Sequence, residues 1–180
     1  MVKVISCKIT NSELCSDAWE NMATDEIFPE GLYVTQSNMI VEGQISVYSG
    51  NAFGDEEEED LDVEKINDIV SKFSLEKIEL EKKDFKIMFL SHVKAVMKKM
   101  KLKKLAKESD EGKEKFATFQ LNVKKIMNFY LKNFSDCDIY MNEDQNSEGA
   151  YVVGWWNPNS EVVDAPQMCF WLDGCDFRKL

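Results

Sequence analysis

Few residues in this chain are equipped for chemistry, and their spacing narrows what that chemistry can be. A lone histidine, His92, rules out a multi-histidine metal site. It falls on the apolar side of a helical stretch, where it is expected to be a satisfied, semi-buried side chain rather than a base or ligand. The five cysteines, Cys7, Cys15, Cys137, Cys169 and Cys175, contain no C-x-x-C pair of the kind zinc knuckles and dithiol redox sites require. Free thiols and no stoichiometric zinc are therefore expected. The glycine motifs of phosphate loops, dinucleotide folds and nucleophile elbows do not occur. Catalysis is not expected.

Charge is the more informative feature. Six consecutive acids run from Asp55 to Asp60. Nearby Asn51, Asp55 and Glu58 offer hard oxygen donors suited to calcium, but no D-x-D-x-D-G loop fixes their geometry, so only weak binding is expected. The competing reading is a solvated segment that keeps the protein soluble and screens its own lysines. Either way, residues 49–62 are expected to form a mobile loop, because like charges at that density resist burial. The opposite bias lies between Lys82 and Lys132, where 15 lysines meet five acids for a balance of +10, leaving −21 on the rest of the chain. Within it Lys94, Lys98, Lys101 and Lys104 would form a basic face for acidic partners.

The net charge of −11 and a pI near 4.7 argue against bulk nucleic-acid binding. No apolar run approaches the roughly 18 residues of a membrane span. The N-terminus, MVKVISCKITNSEL, has no apolar core of signal-peptide length. A soluble, cytoplasmic, single-domain protein is expected.

The elements that must position these residues are legible from periodicity. Val2–Ile9, Gly31–Thr35, Met39–Val41 and Ile45–Tyr48 are short apolar segments that suit antiparallel strands. IYMNE, AYVVGWW and QMCFWLDG repeat that signature within 138–180. Between them, Phe85, Met88, Phe89, His92, Val93, Val96 and Met100 make one apolar helical stripe, and Phe116, Phe119, Val123, Ile126, Met127, Tyr130 and Phe134 make another. A break at Ser109-Asp-Glu-Gly112 predicts an antiparallel hairpin over 82–134, with Asp84 capping its first helix and Ser109 or Asp110 its second. Both stripes are expected to be core, packed between the helices. The segment Val63–Leu80 is ambiguous between helix and strand on propensity alone.

ITNSELCSD, SGNA, NDIVSKFSL, the basic hairpin, NFSDCDIYMNE and the final LDG, taken in order along nearly the whole chain, resemble the translationally controlled tumour protein family. Departures at Phe53, Asn142 and Tyr151 mark a divergent member. The resemblance implies an α+β fold: a compact, twisted, mainly antiparallel β core of the β-tent type (1–48, 63–81 and 138–180), a projecting helical hairpin, and a disordered acidic loop. It also implies mainly strand for Val63–Leu80. The core would be similar to that of a zinc-binding chaperone of nucleotide-free small GTPases, without the cysteine pairs that hold the zinc.

By the same resemblance the protein is a monomeric regulatory binding protein linked to growth control. Its implied partners are small GTPases, translation elongation factors and tubulin, with weak calcium binding and no other cofactor. Export by a route without a signal peptide is a further expectation. Carried over position by position, the GTPase-facing surface is Glu13 in NSELCSD, Leu75 in SKFSL and Glu143 in IYMNE. A carboxylate there could meet the phosphate-loop lysine of an empty GTPase. The alternative is that both glutamates are solvated rim residues and Leu75 is core.

Overall fold

A central five-stranded antiparallel sheet organises the molecule. The computed structural model describes residues 2–23, 26–41, 64–143, 146 and 148–179. The expected strand Ile45–Tyr48, the loop 49–62 and the proposed calcium donors Asn51, Asp55 and Glu58 lie outside these residues. The central sheet has the order β3 (Leu32–Gln36), β9 (Gln167–Trp171), β8 (Tyr151–Trp155), β7 (Cys137–Asn142) and β6 (Leu75–Ile78). A three-stranded sheet places β1 (Lys3–Cys7) between β10 (Cys175–Lys179) and β2 (Glu13–Ser16). A small ribbon pairs β4 (Met39–Val41) with β5 (Lys65–Asn67).

The central sheet is covered on both faces, and strand alternation sorts its side chains between two cores. Leu32, Val34, Ile139, Met141, Tyr151, Val153, Trp155, Cys169 and Trp171 point into a core shared with the helices. Tyr33, Tyr140, Val152, Met168 and Phe170 point into a second core, shared with Ile5, Cys7, Leu14, Cys15 and Cys175 of the three-stranded sheet. Double coverage explains why AYVVGWW and QMCFW read as continuous apolar runs rather than alternating ones. The predicted stripes are core, as expected, and their partner includes the sheet: Phe89 and Phe119 pack on Trp171 with ring centroids 5.7 and 5.6 Å apart. Burying each such ring contributes roughly 1.5–3 kcal/mol.

The hairpin differs from expectation in its joints. Three helices replace two: α2 (Lys82–Lys99), α3 (Leu102–Glu108) and α4 (Asp110–Lys132). They follow a short α1 (Asp68–Lys72). The first break falls at Met100-Lys101, where Lys101 adopts φ 54° and ψ 37°, a left-handed backbone conformation that interrupts a right-handed helix. Ser109 does cap α4, its hydroxyl accepting from the Gly112 amide at 2.9 Å. Asp84 is not a cap; Glu81 occupies that position without a side-chain hydrogen bond, and Asp84 sits in the first turn.

Residues 64–80 carry the expected strand in two pieces, with a short helix inserted between them. Asn67 ends β5 and accepts through its side chain from the amides of Ile69 and Val70, which nucleates α1 before β6 begins. Strands β2 and β10 were not anticipated. Four residues are too few for a visible period, and β10 exposes all but Cys175, as a charged edge strand does.

Candidate functional site

The four lysines singled out from the sequence share one cleft. Helix α2 ends at Lys99, Lys101 turns the chain through its left-handed conformation, and Leu102, fully buried, anchors the start of α3. The Leu105 amide donates to the Lys101 carbonyl at 3.0 Å, so the elbow is held by backbone hydrogen bonds. Lys94, Lys98, Lys101, Lys103 and Lys104 surround a cleft of about 470 Å³ with Met97 also in its lining. Lys104 meets Glu108 at 4.0 Å, both well exposed, an interaction of at most about 1 kcal/mol. Among the described residues Lys94, Lys98, Lys101 and Lys103 have no ion pair. Sequence reasoning missed Lys103 and Met97. The signal was the break at Lys101, which folds residues on either side of it into one concavity.

The second predicted surface is only partly assembled. Leu75 and Glu143 line one groove of about 420 Å³, together with Met39, Ile66, Val70 and Glu76. Pairing of Leu75 with Asn142 brings them together, since Glu143 follows directly. Leu75 itself is 5% exposed and belongs to the second core, so it offers the groove an edge rather than a protruding side chain. Glu13 lies elsewhere, on β2, opposite Ser6, with its carboxylate 3.9 Å from Arg178. It is not among the groove's lining residues.

Among the described residues no other titratable group assembles a reaction centre. His92 is buried, and its Nδ1 lies 2.7 Å from the Glu148 carbonyl, to which it donates. Burial lowers its pKa, the carbonyl contact opposing. Burial pushes the Cys15 and Cys137 thiols up to about 12 and raises Cys169 further, which disfavours the nucleophilic thiolate. Among the described residues no cluster of three or more His, Cys, Asp or Glu side chains could hold a metal ion.

Residues 2–176 match the family model of translationally controlled tumour protein. The chain belongs to that family. A translationally controlled tumour protein homologue of Yarrowia lipolytica is 31% identical over 176 residues, covering 96% of each chain. One from Theileria annulata is 25% identical over 178 residues, again with 96% of each covered. In fold the chain is similar to the translationally controlled tumor-associated protein p23fyp of Schizosaccharomyces pombe, with a TM-score of 0.69, 23% identity and full coverage of both chains. The corresponding protein of Caenorhabditis elegans gives a TM-score of 0.63 at 16% identity, over 100% of this chain and 99% of that one. This chain is thus a regulatory protein of the translationally controlled tumour protein type, a family not known for enzymes.

Proposed function

We propose that this member of the family is a protein-docking regulator whose principal contact is the lysine elbow, which takes acidic segments such as the tails of tubulin. The observation that supports the reading is that five lysines line one cleft. Lysines so placed repel one another and gain from a shared counter-charge. The −21 carried by the rest of the chain steers an acidic partner away from other surfaces and towards the elbow. The test is fluorescence anisotropy with a glutamate-rich peptide at low and physiological salt. Binding should fall steeply with salt, and Lys98→Glu with Lys101→Glu should weaken it about tenfold or more. Affinity unchanged by that reversal would remove the elbow from the function.

A second reading is favoured by the groove that Leu75 and Glu143 share. Glu76 and Glu143, set against a single lysine, Lys65, and the partly buried Met39, Ile66 and Val70 suit a nucleotide-free small GTPase, whose exposed lysine would meet Glu143. Titration against such a GTPase should show Glu143→Gln weakening binding more than Glu13→Ala. It should also show little salt dependence beside the elbow. Undetectable binding by the wild type would end this reading.

A further inference from the structure

The terminal strands of the chain carry a pair of thiols in a position suited to bond formation. Cys7 on β1 and Cys175 on β10 are direct partners in the antiparallel register. Cys7 turns its backbone away from β10: its amide donates to the Ser12 carbonyl and its carbonyl accepts from Asn11, both at 2.8 Å. The neighbouring Lys8 amide donates to the Gly174 carbonyl, also at 2.8 Å. Cys7 and Cys175 therefore form a non-hydrogen-bonded pair, the arrangement in which Cα atoms approach to about 4.5 Å and side chains are closest. That separation lies within the range of roughly 4.4–6.8 Å spanned by disulfides. Both side chains enter the same core. Cys15 instead faces Ile5 across the other side of β1.

We infer that Cys7 and Cys175 are a modification site, closing to an intramolecular disulfide by exchange with a small disulfide of the glutathione type. One thiolate attacks the small disulfide, forming a mixed disulfide and expelling one thiolate. The second cysteine then attacks the protein sulfur of that intermediate and expels the other. Two protein S–H bonds become one S–S bond, the two electrons reduce the small disulfide, and the two released protons end on its two thiols. Burial, and next the neighbouring Cys7 thiol, push the Cys175 thiol up, so the closed sheet resists attack. Access comes by opening of β10, an edge strand whose strand pairing is with β1. It is exposed beyond Cys175 and rests on the rest of the molecule through the Phe177 ring on Tyr33 and Arg178 near Glu13. Once formed, the bond ties together the two ends of the chain and holds Arg178 near Glu13.

The experiment treats the full, folded chain with oxidised glutathione and follows intact mass without reductant. Trypsin with an Asp-specific protease separates all five cysteines into different peptides. The expected product has lost two hydrogens and joins the Cys7 peptide to the Cys175 peptide. It should melt at higher temperature until dithiothreitol is added. Cys7→Ser and Cys175→Ser should each abolish the product, whereas Cys15→Ser and Cys169→Ser should not. A bridge joining Cys7 to Cys15, glutathione adducts alone, or an unchanged mass would overturn the assignment.

Discussion

At the scale of single residues, two buried polar groups make opposite predictions. His92 has a folded-state pKa below its ordinary 6.5, chiefly because burial disfavours the imidazolium. As pH falls through that value the unfolded chain therefore binds the proton first, and stability is drawn down. Melting temperature should be level above about pH 6.5 and should decline below it, and His92→Gln should flatten the decline. An equal acid slope in both proteins would assign it to other groups. Tyr130 is the reverse case. Its hydroxyl is buried with no hydrogen-bond partner among the described residues, while its ring packs on Phe85 and Phe89. Tyr130→Phe keeps the ring and removes the orphaned group, so urea unfolding should show no loss and a gain of up to about 1 kcal/mol.

At the scale of elements, the elbow between α2 and α3 separates backbone from charge. Lys101 holds a left-handed conformation that costs a non-glycine residue roughly 1–2 kcal/mol. Glycine removes that strain and adds about 0.5–1 kcal/mol of unfolded-chain entropy in opposition. Lys101→Gly should therefore leave stability equal or raised by up to about 1 kcal/mol by denaturant titration, while weakening peptide binding through the lost ammonium. Destabilisation would mean that the Lys101 side chain supports the elbow. The next joint is tighter still. A Cβ on Gly112 would sit 2.0 Å from the Leu105 carbonyl oxygen, so α3 and α4 can meet at this angle only with glycine there.

At the scale of the whole molecule, the helices and the central sheet are one structure. The sheet's helix-facing side presents Val34, Met141, Val153, Trp155 and Trp171, all buried by the hairpin. Excising residues 82–134 would bare this face to water. The remaining β segments should then aggregate or lose fixed aromatic packing, seen as a collapsed near-ultraviolet circular dichroism signal. A monomeric core with native near-ultraviolet bands would show that the two parts fold independently.

Sequence alone determined the class of the fold, the helical stripes, most central strands and the basic character of the hairpin. The class of the fold came with the family resemblance; the others rest on local periodicity or composition, which survives any packing. It also singled out four lysines that prove to share a cleft. Tertiary structure decided what local signals cannot carry. Lys101, unremarkable as a residue type, is where the hairpin bends, because packing of Leu102 fixes a conformation that its own propensity opposes. Asn67 turned an ambiguous stretch into strand, helix and strand through two side-chain hydrogen bonds. Glu13 is separated from the Leu75–Glu143 groove because β2 joins a different sheet, a pairing between segments no four-residue strand announces. Cys7 and Cys175 lie at opposite ends of the chain, and only the register of β1 against β10 places them side by side.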